Sequence, residues 1–349
     1  MTEFKTLHEL ETPSVLIDLE KMTRNIERMQ SRCDALNLNF RPHVKTHKIP
    51  EIAQMQMDAG AVGIACQKVS EAEVFTNVHD ILLPYHILGE RKVGRLADLA
   101  QSHHVTSAVD SPEGVAGLSA VASARGIVFR VVVDLVTEIE RTGTSVAHAV
   151  KLAEMIDRDP HLHFAGLMIY PSFPTVRPIL QEALAQLQQK GIPVEMVSGG
   201  GIGAAAYAQE VPELTEIRVG TYVFNDLTTV RNGYATFDDC AMVIETTVTN
   251  LPTPNKAVLD AGSKTLTQEL YDGTYGYVIE YPDARLNKLN EEHGHLDLTH
   301  SAEKPKIGEI VHIIPVHTCV VTNMHNQIFG VRGENVEVVW DVAARGRVW

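Results

Sequence analysis

Between residues 38 and 220 the chain repeats one pattern eight times, and this repetition limits the possible folds more than any other feature. Short apolar or β-branched runs alternate with stretches of helical period such as 144–158 and 175–190. The runs are "LNFRPHV" (38–44), "AVGIAC" (61–66), "DILLPY" (80–85), "HVTSAV" (104–109), "IVFRVVVDL" (127–135), "HFAGLMIY" (163–170), "VEMVSG" (194–199) and "EIRVG" (216–220). Eight strand–helix units in series point to an α/β fold built on a (β/α)8 TIM-type barrel. No GxGxxG follows the first strand, which argues against an open dinucleotide-binding sheet. From about residue 238 the helical period disappears. "CAMVIETTVTNL", "KAVLDAG", "YGYVIEY", "EIVHIIPVHTCVV", "IFGVRG" and "VEVVWDVAARG" are short, β-rich and bounded by turn residues, as in a smaller all-β domain. The expected division is therefore a barrel over 16–237 and a β domain over 238–349. Residues 1–15 precede the barrel and are expected to join the β domain.

The formal net charge of −14 disfavours nucleic acid and anionic membranes as partners. The longest apolar runs are strand-sized, well short of the roughly 20 residues that span a bilayer. The opening "MTEFKTLHEL" has no signal-peptide core. Cys33, Cys66, Cys240 and Cys319 are scattered with no CxxC pair, unlike a disulfide framework. These features together lead us to expect a cytoplasmic protein.

A barrel of this kind places its chemistry at the C-terminal ends of its strands and commonly holds phosphate in the loops after strands seven and eight. Both loops carry glycine here: "SGGGIGA" (198–204) after the seventh run and "RVGTY" (218–222) after the eighth. Backbone N–H groups freed of side chains can approach an anion closely. Lys45 follows the first strand, inside "RPHVKTHK" (41–48), where four basic side chains and a further histidine crowd eight positions. The stretch is either a solvated basic turn or a device that keeps one amine uncharged. On an extended strand Arg41, His43 and Lys45 would share a face, and neighbouring cations would lower the lysine pKa. A phosphate cradle and a neutral lysine at one barrel mouth are what pyridoxal 5'-phosphate requires, since its aldehyde condenses with an amine.

The ordered series "TPSVLIDL", "RPHVKTHK", "VDLVTEIERTG", "VSGGG", "RVGTYVFND", "LDAGSKTL", "EEHG" and "VHTCVVTN" runs along nearly the whole chain. It resembles fold-type III pyridoxal phosphate enzymes of the D-threonine aldolase and D-serine dehydratase family. Alanine racemase is similar in plan but more distant. The resemblance implies that Lys45 bonds the cofactor and removes the α-proton, with His43 beside it. It implies that Gly200, Gly201, Gly220 and Thr221 bind the phosphate, helped by the Tyr222 backbone N–H. Arg141 then lies near cofactor or substrate, or else in a rim salt bridge. Tyr170 lies at the cofactor, or is simply an amphipathic residue of the barrel mouth.

In "HTC", His317 and Cys319 at i and i+2 would share a strand face, and an imidazole with a thiolate suits zinc, with manganese or magnesium as alternatives. The resemblance places the family's divalent-metal site at this pair. Family aldolases often carry His-x-Asp there and dehydratases His-x-Cys. His293 in "EEHG" is placed either near the metal or in its outer surroundings. The implied reaction is lyase action on a small D-3-hydroxy amino acid, by dehydration to a 2-oxo acid and ammonia or by cleavage to glycine and an aldehyde. A head-to-tail homodimer is implied as well. Racemisation and non-catalytic cofactor carriage are the alternatives.

Overall fold

The computed structural model describes residues 4–349. The chain packs as two units. One comprises Arg28–Lys45, Pro50–Gly220 and Arg347–Trp349, and the other comprises the segment up to Glu27 with Thr46–Ile49 and Thr221–Gly346.

The first unit contains eight strands: β1 (Asn39–Phe40), β2 (Ile64–Ala65), β3 (Asp80–His86), β4 (His104–Val109), β5 (Phe129–Leu135), β6 (Leu162–Ile169), β7 (Met196–Gly200) and β8 (Glu216–Arg218). They form one parallel sheet in the order β1-β8-β7-β6-β5-β4-β3-β2. Its two edges meet. Val62 N donates to Phe40 O (3.0 Å), Ala65 N to Pro42 O (2.8 Å) and Val44 N to Ala65 O (3.0 Å), so the sheet closes on itself. Each of the eight predicted runs supplies one strand.

Local chemistry explains the crossings. The helix Pro112–Arg125 starts with Ser111, whose hydroxyl accepts from Gly114 N (3.3 Å), and with a proline in its first turn. It ends at Gly126 in the left-handed region (φ +64°) and buries Val115, Leu118 and Ala122. Val131, Val132 and Val133 of β5 are fully buried, each contributing about 1.5–3 kcal/mol. At Gly166 of β6 (φ +144°) a Cβ would collide with the Met196 carbonyl. Only glycine lets β6 and β7 approach so closely there.

The second unit is a nine-stranded sheet. Its centre is the N-terminal strand Ser14–Asp18, antiparallel to Met242–Thr253 (Ser14 opposite Glu245) and parallel to Gln327–Arg332 (Leu16 opposite Phe329). Packing draws the division after Glu27 and Gly220 rather than at 15 and 237. The causes are local. Asn25 Nδ2 donates to Asp239 O (2.8 Å) and to Val223 O (3.3 Å), while Leu227 packs with Cys240, Ile314 and Val316.

One predicted strand is corrected. "EIVHIIPVHTCVV" is a strand only over Ile310–Pro315, and Thr318–Met324 is a helix with His317 as its N-cap. The cause is a buried carboxylate: Thr318 N donates to Asp226 Oδ2 (3.2 Å), which places an anion at the start of the helix.

Candidate active site

Lys45 does not lie on an extended strand. β1 ends at Phe40, His43 makes a single bridge to Ala65, and 44–47 turn. The alternation that would align Arg41, His43 and Lys45 therefore stops before it reaches the lysine. Arg41 is not a free cation either. It is buried, with Nη1 2.6 Å from Asp80 Oδ1 and Nε 2.9 Å from Glu216 Oε2. Burial alone would lower its pKa, but Glu216 and Asp80 outweigh that and raise it. His43 Nε2 pairs with Gln67 Oε1 (2.9 Å), and its Nδ1 accepts from Lys45 N (3.4 Å). Arg41 and His43 are thus each partnered away from the lysine side chain, and two carboxylates neutralise the Arg41 charge.

Around the ends of β6 and β7, Tyr170, Gly200 and Gly201 lie together, with Arg141 against the Tyr170 ring. The Arg141 guanidinium carbon stands 4.3 Å from the Tyr170 ring centroid, a cation–π contact. A Cβ on Gly200 would lie 3.0 Å from the Tyr170 ring and 3.1 Å from the Arg218 guanidinium. Gly201, at φ +104°, leads into the helix Ile202–Tyr207, and the nearest atom to a Cβ there is in the Tyr170 ring, 3.5 Å away. Gly220 lies two residues after the end of β8. Thr221 and Tyr222 follow it in the chain, where Thr221 O accepts from Asn225 N (2.7 Å).

Arg218, inside "RVGTY", carries no local sequence signal that marks it, yet it borders Gly200. It is buried, with Nη1 donating to Ser198 Oγ and Nη2 to Ile169 O (3.4 Å). Ser198 Oγ in turn donates to Glu216 Oε1 (2.6 Å). Burial lowers the Arg218 pKa to about 10, with Glu216 and Asp134 opposing it. The buried Ser107 Oγ in this unit has no hydrogen-bond partner, while the His86 ring stands between Asp110 (3.4 Å) and Asp134 (3.5 Å). Room at Gly201 and the arginines beside it fit an anionic cofactor such as pyridoxal phosphate.

His317 and Cys319 come together even though their segment is not a strand. His317 Nδ1 pairs with Asp226 Oδ2 (3.0 Å), and Cys319 Sγ lies 3.2 Å from Thr46 Oγ1. Burial alone would lower the His317 pKa, but the Cys319 sulfur and the Asp226 carboxylate push it up to about 11. With Nδ1 on Asp226, the ring also hydrogen-bonds the Cys319 sulfur, so the two donors converge and the pair fits a divalent ion. The buried Thr318 hydroxyl between them lacks a partner. Among the described residues no three His, Cys, Asp or Glu side chains are arranged to hold a metal, so this pair stands without a third side chain of those types. His293 is exposed.

The family described as alanine racemase, N-terminal domain, matches residues 17–227, and the putative serine dehydratase domain matches residues 241–331. A D-threonine aldolase from Arthrobacter sp is 31% identical over 97% of this chain and 94% of its own length. The chain belongs to the D-threonine aldolase and D-serine dehydratase family. Within this pyridoxal-phosphate-dependent family, the crystal structure of D-threonine aldolase from Filomicrobium marinum superposes with a TM-score of 0.92, 30% identity and full coverage of both chains. A D-threo-3-hydroxyaspartate dehydratase variant in the metal-free form superposes with a TM-score of 0.88 at 26% identity, covering 99% of this chain and 100% of that one. Among the described residues no helix is long and apolar enough to cross a membrane.

Proposed function

We propose that this protein is a pyridoxal-phosphate- and divalent-metal-dependent lyase of D-3-hydroxy amino acids. The observation that carries the proposal is the His317–Cys319 pair, anchored by Asp226 and Thr46, in a chain that also holds a racemase-type barrel. Racemisation has no use for such a pair. The cofactor, when bound, supplies an electron sink for charge at Cα. Lys45 would hold it by its amine and would take the α-proton from one face of the substrate. Gly200, Gly201, Gly220, Thr221 and the Tyr222 N–H would receive the phosphate, while His43, Arg141 and Tyr170 would orient ring and substrate. His317 and Cys319 hold the metal, and the chemistry a metal supplies there is Lewis-acid polarisation of an oxygen. Zinc is the ion that best matches the imidazole–thiolate donor set. Cysteine at 319 favours loss of the β-hydroxyl as water over cleavage of the Cα–Cβ bond. The proposed assembly is a homodimer, to be read from a solution mass of twice 38.4 kDa.

The test is incubation with D-serine, D-threonine and D-threo-3-hydroxyaspartate, with and without chelator, assaying 2-oxo acids against glycine. We expect 2-oxo acid formation that the chelator suppresses. Lys45→Ala should lose both turnover and the visible absorbance of lysine-bound cofactor. Racemisation of D-alanine in chelator, with neither product formed, would overturn the lyase reading.

A further inference from the structure

We infer that Asp226 and Thr46 are positioning residues for the metal ligands, the carboxylate fixing the His317 ring and the hydroxyl fixing the Cys319 sulfur. This rests on the reading of His317 and Cys319 as ligands and adds what orients them.

Asp226 is fully buried, and a buried carboxylate is tolerated only when its oxygens are satisfied. Oδ1 accepts from Thr229 N (2.8 Å), and Asp226 N donates to Thr229 Oγ1 (2.8 Å), a capping box on the helix Leu227–Arg231. Oδ2 accepts from His317 Nδ1 (3.0 Å) and from Thr318 N (3.2 Å). Asparagine, serine and threonine all cap helices well, so the cap alone does not call for an aspartate. The second oxygen does, because it must accept from two N–H groups at once and an amide nitrogen cannot. Both oxygens are thus engaged within the protein, consistent with Asp226 lying outside any three-residue metal set. A carboxylate on Nδ1 selects the tautomer whose lone pair is on Nε2 and holds the ring plane. Thr46, also fully buried and next after Lys45 in the chain, gives the sulfur a hydroxyl partner at 3.2 Å. A hydroxyl held at that distance by its own burial fixes where the sulfur points.

The experiment measures zinc affinity in cofactor-loaded protein stripped of metal, by competition with a chromophoric chelator, together with the thermal midpoint of the metal-free form. Asp226→Asn has a single acceptor oxygen, so it cannot both cap the helix and accept from His317. We expect it to bind zinc 10- to 100-fold more weakly, with cofactor absorbance retained and the metal-free midpoint little changed. Thr46→Val should weaken binding several-fold, whereas Thr229→Ala, which leaves the Asp226–His317 bond in place, should bind like wild type. If Cys319→Ala loses zinc while Asp226→Asn and Thr46→Val bind it like wild type, the positioning inference is overturned and the ligand reading stands. If Cys319→Ala itself keeps full affinity, the ligand reading falls and the inference falls with it. Should Asp226→Asn fail to fold, Thr46→Val decides alone.

Discussion

Arg41 sits 7% exposed between Asp80 and Glu216, and a charge so buried depends on both carboxylates. Glu216 also accepts from Ser198, which Arg218 contacts, so one side chain serves two buried guanidinium groups. Glu216→Ala should therefore cost about 3–5 kcal/mol, read as a lowered urea midpoint with unchanged m-value. A loss below ~1 kcal/mol would mean that the network carries little of the stability. "RPHVKTHK" revealed the lysine but not the fate of its neighbours, because Asp80 and Glu216 are 39 and 175 residues from Arg41. Asp226 shows the same limit. It stands inside "RVGTYVFND", a motif read for its glycine and hydroxyl, while its partner His317 lies 91 residues on. Local patterns mark which side chains can do chemistry, and the partners that orient them come from contacts distant in sequence.

Strand periodicity was legible wherever a strand is buried on both faces, as in the barrel, because such runs are continuously apolar. It failed for "RLNKL" and "GHLD", strands Arg285–Leu289 and Gly294–Asp297, whose polar, half-exposed residues carry little signal. It also failed after Pro315, where an aspartate from another segment converts a β-branched run into a helix. On the strand Ile310–Pro315, His312 lies between Glu245 (3.7 Å) and Glu280 (2.7 Å), and these carboxylates push its pKa up to about 9. A histidine raised in the folded state stabilises fully below its ordinary value near 6.5, and the benefit fades as pH rises through 9. Burial alone would raise the Glu280 pKa, but His312 outweighs it and lowers it, so that partner's contribution is lost on acidification below its ordinary range. Wild type should thus exceed His312→Gln in thermal stability at pH 6 and match it near pH 10. The difference should be on the order of 1 kcal/mol, since both side chains are about a third exposed and water screens them. A gap that does not change between those pH values would refute the assignment.

The chain crosses between its two packing units five times, at Glu27, Lys45, Ile49, Gly220 and Gly346, so neither unit corresponds to one continuous stretch of sequence. Sequence reading located the change of period near 238 and assigned residues 1–15 to the β domain, but it did not find the other crossings, because composition changes once while packing changes repeatedly. The deepest consequence falls on the first strand. Ser14–Asp18 occupies the middle of the nine-stranded sheet, hydrogen-bonded to Met242–Thr253 on one side and Gln327–Arg332 on the other. Val15, Leu16 and Ile17 are each at most 2% exposed. Burying three such side chains is worth about 5–9 kcal/mol, comparable to the entire net stability of a typical domain. A chain beginning at Leu19 would lose that burial and open two strand edges in the interior of the sheet. It should therefore be recovered mainly as aggregate, and adding the 1–18 peptide in trans should rescue some soluble protein if the pairing is the cause. Normal soluble yield and an unchanged thermal midpoint for the shortened chain would show that the sheet can close without its central strand. The same pairing joins residues more than two hundred positions apart (Ser14 with Glu245), and contacts that remote form slowly. Refolding of the full chain should consequently protect the amides of Val131–Val133 in the barrel before those of Val15–Ile17 in pulsed hydrogen exchange, because neighbouring barrel strands lie close in sequence while the second sheet must wait for both chain ends; simultaneous protection would refute that order.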